Sequence, residues 1–219
     1  MSVQERRERE RFERRSGILE AAEQVFLAKG PAATVEEIAE VAGIAKGTVY
    51  LYFQSKEDIY LTILGKILDG LTESFRSEHR RALPAFDRIL CIGEAYIRFY
   101  EETPGYFRLL NETSFPVMTN NVSPAILEKL YTKSSALWSV LTSLIEDCMR
   151  GGIFRPDVDA FELAVMLWNN ASGILRQMDA MKKPNVWQGK QREYSLYNLD
   201  LLGVLRRAQV ILLDAHRRR

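Results

Sequence analysis

Apolar positions recur three and four residues apart along most of the chain, in runs bounded by residues that start or stop helices. Ile18, Ala22, Val25 and Phe26 form the inward stripe of a first helix, which Gly30-Pro31 stops. Thr34 and Glu37 have capping-box spacing, so hydroxyl and carboxylate can each satisfy an orphan amide at a helix start. Ile38, Ala39 and Ala42 follow on one face until Gly43, a residue suited to the left-handed conformation that ends a helix. The next short helix turns Val49 and Phe53 inward and leaves Thr48, Tyr50 and Tyr52 outward. Ala39 and Ala42 are small where two helices must cross closely, as in a helix-turn-helix. Ser55 and Asp58 repeat the capping spacing. Behind them a long helix runs toward Arg81, with Ile59, Ile63, Ile67, Leu71 and Phe75 spaced by fours and nothing to break it before Pro84.

The rest of the chain reads as helix throughout. From Phe86 to Thr103, Asp87, Glu94, Arg98, Glu101 and Glu102 line one face and Ile89, Ile92, Tyr96, Phe99 and Tyr100 a broad opposite one, ended by Pro104-Gly105. Tyr106–Glu112 predicts a short helix, followed by a loop through Pro116 and Asn120-Asn121. Ser123-Pro124 opens a helix that carries Leu127, Leu130, Leu137, Leu141, Leu144 and Cys148 inward as far as Gly151-Gly152. Asp159 and Glu162 cap a further helix from Ala160 to about Met181; residues 182–190 predict a loop. A last amphipathic helix, Arg192–His216, carries Leu196, Leu199, Leu202, Leu205, Val210 and Leu213. No alternating strand pattern and no internal repeat is present.

Composition narrows the function without deciding it. Hydrophobic residues make up 47% and charged residues 27%, as in an ordinary globular protein. The densely charged start lacks the apolar core of a signal peptide, and the richest apolar stretch, Phe161–Leu175, is interrupted by Asn169 and Asn170, so neither secretion nor a membrane span is expected. Cys91 and Cys148 lie far apart in apolar helical patterns, as reduced core residues of a cytoplasmic protein do. Two His residues and no close Cys pair argue against a zinc site, and no phosphate loop, nucleophile motif, cofactor motif or catalytic constellation is present. The net charge of +1 is low for a nucleic-acid binder, but positive charge is local: residues 1–15 hold six Arg against four Glu. Residues 4–15 read as a frayed helical extension, with Glu5–Arg9 and Glu10–Arg14 in the favourable four-residue order; it is either a solvated arm or one that tracks a DNA backbone or minor groove.

The stretch from Thr34 to Lys56 resembles the DNA-binding domain of the TetR family of bacterial transcriptional regulators. The matching residues are Thr34, Ile38, Ala39, Ala42-Gly43, Gly47-Thr48, Tyr50, Tyr52-Phe53 and Ser55-Lys56-Glu57. Ala45 departs from the pattern, because the family often has a small hydroxyl residue where the recognition helix begins. The resemblance implies an all-α chain in two parts: a three-helix helix-turn-helix domain over residues 1–60, and a larger helical ligand-binding and dimerisation domain over 61–219. Placed in a major groove, the helix from Ala45 to Phe53 directs Lys46 and Tyr50 toward base edges. Thr48 and Tyr52 then face phosphates, Thr34 and Lys56 stand at helix starts that favour an anion, and Gly47 allows close backbone approach. The competing reading is a helical hairpin that packs internally.

In the body, Tyr96, Phe99, Tyr100, Phe107, Trp138, Leu141 and Met166 are candidates to line a pocket, although aromatics at helical spacing are commonly plain core. Asn169 and Asn170 must find partners if buried, whether a ligand, the backbone or a second protomer. Small residues Ala164, Ala171, Gly173 and Gly203 permit the close helix approach of a two-fold dimer interface. The expected protein is therefore a homodimeric regulator bound to a palindromic operator and released by a small apolar or aromatic effector. The alternative is a ligand-independent DNA-binding or assembly factor whose body only dimerises or recruits a protein.

Overall fold

The computed structural model describes residues 2–112, 122–182 and 199–218. The elements in chain order are α1 (Val3–Lys29), a short 3-10 turn (Gly30–Ala32), α2 (Val35–Val41), α3 (Lys46–Tyr50), α4 (Lys56–His79), α5 (Ala85–Glu102), α6 (Pro104–Leu110), α7 (Pro124–Arg150), α8 (Ala160–Met181) and α9 (Leu201–Asp214). Among the described residues the β structure is an isolated antiparallel bridge between Phe154 and Arg217. The expected loops around Pro116 and over 183–190, and the expected start of the last helix at Arg192, lie outside the described residues.

The chain divides into two compact units, Met1–Leu68 with Glu112–Ser134, and Asp69–Asn111 with Ser135–Arg219. The first is built on α1, α2, α3 and the start of α4. Ile18, Ala22, Phe26, Ile38, Val49, Phe53, Ile59 and Ile63 form its core, each at most 2% exposed. Burying a side chain of this kind stabilises by about 1.5–3 kcal/mol relative to leaving it in water. Phe26 meets Tyr60 edge to face at 5.4 Å, and burial pushes the Tyr60 phenol well above its usual range. Thr34 closes the capping box with Glu37, and Gly43 takes φ +64° to end the turn after α2.

The arm is a helical extension as expected, but its ion pairs and the bounds of two later helices are corrected. The arm is continuous with α1 and is capped by Ser2, whose box partner is Glu5. Glu5 is thereby drawn to the helix end, and the arm's ion pairs run Arg6–Glu10 (3.6 Å) and Arg9–Glu13 (3.5 Å) instead of Glu5–Arg9 and Glu10–Arg14. The helix after Thr103 starts at Pro104 and ends at Leu110, because proline lacks the amide that a first helical turn leaves unused. Finally, α9 begins only at Leu201, where the Asp200 carboxylate accepts the Gly203 N–H (2.9 Å); Leu199 precedes it and is 53% exposed.

The second unit packs α5, α6, α8, α9 and the described parts of α4 and α7 that belong to it. Tyr96 is the centre of an aromatic cluster, 4.7 Å from the Trp168 ring and 5.9 Å from Phe107. The hydroxyl of Tyr96 hydrogen-bonds with Ser172 Oγ (2.8 Å) and accepts from Asn111 (3.2 Å). Burial pushes the Tyr96 phenol upward, and those two bonds partly offset it. Cys148 is fully buried, which raises its thiol to about 11.

Candidate nucleic-acid interface and body cavity

The recognition segment follows from where its apolar residues are used. Val49 and Phe53 are 1% and 2% exposed, so α3 has no inward capacity left. Tyr50 (46% exposed) and Leu51 (76%) stand outward, with Ala45, Lys46 and Gly47 also exposed and Thr48 and Tyr52 half-buried. Leu51 lies two residues from both Val49 and Phe53, about 200° round the helix from each, and so falls on the outward face. A Cβ added at Gly47 would meet nothing within 4 Å, so no internal packing requires this glycine. Ala45 stands at the N-cap of α3 and makes no side-chain cap.

The cations of this surface are partly engaged. Lys46 Nζ pairs with Glu36, holding that carboxyl below its usual range and raising the Lys46 ammonium. Both are solvent-exposed, and exchanging such a pair for a phosphate costs little. Lys56 is half-buried and donates to the carbonyls of Pro31 (2.9 Å) and Ala33 (3.0 Å), tying the turn before α2 to the start of α4. Its ammonium therefore holds the fold here. Thr34 is exposed; its hydroxyl accepts the Glu37 N–H (3.3 Å) while its own N–H donates to the Glu37 carboxylate (3.0 Å). Arg15 covers the Phe53 ring at 4.7 Å. On the exposed arm, Arg7, Arg11 and Arg14 share one helical face and have no ion-pair partner among the described residues, whereas Arg6 and Arg9 are paired.

In the second unit an apolar cavity of about 50 Å³ lies among α4, α5, α7, α8 and α9. Of the nine body residues singled out in the sequence, Tyr96 and Leu141 line it. Phe99, Tyr100 and Phe107 cluster with Tyr96 on α5 and α6, and Trp138 packs on Trp168 at 5.7 Å without lining the cavity. Met166 is 44% exposed, and Asn169, also exposed, donates to the Val165 carbonyl of its own helix (2.9 Å). Asn170 is half-buried and its Oδ1 has no hydrogen-bond partner among the described residues. Trp168, one of the aromatics that recur at helical spacing in the body, also forms the cavity wall, as do Phe75, Gly93 and Gln209, which nothing in their local sequence marks for it. No group of three or more His, Cys, Asp or Glu side chains among the described residues is arranged to hold a metal. Among the same residues, no helix is long and apolar enough to cross a membrane.

Residues 18–63 match the family model described as bacterial regulatory proteins, tetR family. The chain is 35% identical over 106 residues to the HTH-type transcriptional activator FasR of Mycolicibacterium smegmatis, a match spanning about half of each protein (48% and 48%). It is 26% identical over 173 residues to the transcriptional repressor BepR of Brucella suis, covering 77% of this chain and 81% of that one. Its fold resembles that of the regulator FadR from Bacillus subtilis, solved with stearoyl-CoA, at a TM-score of 0.68 and 16% identity over 90% of this chain and 97% of that one. The helix-turn-helix described above coincides with the matched segment, so this part of the chain carries the DNA-binding domain of the TetR family of transcriptional regulators.

Proposed function

We propose that the protein is a homodimeric repressor that binds a two-fold-symmetric operator and leaves it when a small, largely apolar molecule occupies the body. The observation that carries DNA reading is the outward face of α3, where Lys46, Tyr50 and Leu51 are exposed while Val49 and Phe53 complete the core behind them. An exposed helix of this kind enters a major groove and reads base edges with its outward side chains, and Thr34, Thr48 and Tyr52 flank it at positions suited to phosphates. Two such heads are needed for a palindrome. Exposed Phe161 and Met166 on α8, with Val210 and Ile211 on α9, support an apolar interface between two copies.

The effector reading is supported by the cavity and by α4, one continuous helix that begins behind the recognition segment and carries Phe75 in the cavity wall. FadR of Bacillus subtilis was solved in complex with stearoyl-CoA, which suits a long apolar effector for a related fold. A ligand shifts the protein toward a DNA-incompetent state only by its difference in affinity for the two states, typically about 1–3 kcal/mol. The small size of the cavity favours a second reading, in which the body only dimerises or recruits a protein. Selection of a binding site from random DNA, followed by a reporter carrying that site across a promoter, tests both. Repression relieved by an apolar compound is the expected result. Repression indifferent to every compound that binds the body would leave the second reading, and failure to select any sequence would sink DNA reading.

A further inference from the structure

Gln209 of α9 is 7% exposed and lines the cavity, yet it makes no hydrogen bond among the described residues. Its amide lies flat against α5 at Gly93: a Cβ built on that glycine would stand 2.6 Å from Gln209 Oε1 and 2.9 Å from Nε2. Glycine therefore makes room for a polar end group that packing alone does not require. Burying an amide without a partner costs stability, and an apolar side chain of the same length would fill the space without that cost. The other polar group of the wall, the Tyr96 hydroxyl, is already bonded to Ser172 and Asn111. The remaining lining is apolar or aromatic, and no charged side chain faces the cavity.

We infer that Gln209 reads the single polar group of the effector, and that this group is an uncharged carbonyl, amide or hydroxyl carried on a hydrophobic body. The inference rests on the cavity being the effector site. A glutamine amide both donates and accepts, so it complements any of these groups. A carboxylate would enter a wall with no cation to pair it, and an unpaired buried charge is strongly disfavoured. An engineered apolar cavity of about 150 Å³ holds benzene. At about 50 Å³ this one takes only the polar end of a ligand, and the rest displaces the half-buried Leu90, Leu141 and Leu167 in its wall.

The test uses the full chain with two probes of equal length, octanamide and octanoate, titrated at neutral pH by calorimetry and by tryptophan fluorescence, since Trp168 is in the wall. Octanamide should bind at least about tenfold more tightly than octanoate. Gln209→Leu and Gln209→Met should each weaken octanamide about tenfold, leave octanoate unchanged and raise the melting temperature of the free protein. Octanamide affinity unchanged in either folded variant, a lowered melting temperature in both, octanoate bound as tightly as octanamide, or no octanamide binding at all would each overturn the inference. Leu141→Trp and parallel operator titrations separate the two readings. Octanamide that depends on Gln209 but leaves operator affinity untouched refutes the switch alone, and octanamide that releases operator without regard to Gln209 refutes this inference alone.

Discussion

The Asp58 carboxylate accepts the backbone N–H of Ser123 at 2.8 Å through Oδ1, while its Oδ2 takes the N–H of Gln54 at 3.3 Å. Asp58 is 1% exposed, and its own N–H is capped by Ser55 Oγ (3.1 Å). One buried side chain thus fixes the residue that follows the recognition segment and the residue that precedes α7, both within the first unit.

Asp58→Asn replaces one accepting oxygen by an NH₂ that must face an N–H donor. Leaving one buried amide unsatisfied should destabilise the protein by about 1–3 kcal/mol. Urea unfolding measures this directly, and a variant as stable as the wild type would show that the two bonds contribute nothing net.

Tyr50→Ala should weaken binding to the selected operator by about 1–3 kcal/mol while leaving binding to unrelated DNA nearly unchanged. The pattern to expect is a loss of specificity at one position of each half-site. Equal operator affinity for wild type and variant, measured by anisotropy, would remove Tyr50 from the reading surface.

The face shared by Arg7, Arg11 and Arg14 gives the arm a separate signature. Replacing all three by Ala should flatten the dependence of log affinity on log salt by about one unit for each phosphate left without its cation. Because the arm is exposed, stability should hold. An unchanged slope would mean that the arm is only a solvated helix end.

Ile211 is 67% exposed on α9, and a charge there has no reason to disturb the fold of one protomer. Ile211→Lys should weaken self-association by more than about tenfold, since the ammonium would be buried without a partner in an apolar interface. Sedimentation at micromolar concentration distinguishes the cases: a wild-type monomer would overturn the dimer, and an undiminished variant dimer would move the interface elsewhere. Gly203 is a poorer probe, because a Cβ there would stand 2.0 Å from Asp200 Oδ2, on the carboxylate whose other oxygen caps α9.

What the amino-acid sequence determined by itself was whatever acts within a turn or two of helix. The Thr34–Glu37 box, the left-handed Gly43, the Asp159 cap and the inward Val49 and Phe53 are set by spacings of a few residues, and the helix-turn-helix was legible for that reason. The Ser2–Glu5 box has the same three-residue spacing and was equally within reach, whereas Lys56 is drawn to the distant carbonyls of Pro31 and Ala33, which no periodicity reveals. In the body, every apolar helical stripe looks alike in sequence, and whether a residue lines a void, fills the core or faces outward depends on which neighbour crosses it. Tertiary packing alone therefore turned Met166 and Asn169 outward, left Trp138 behind Trp168, and laid the Gln209 amide over the bare backbone of Gly93. Those two residues lie on α5 and α9 and carry no mutual signal in one chain, because the fit between a glycine and a distant amide exists only after the helices have packed.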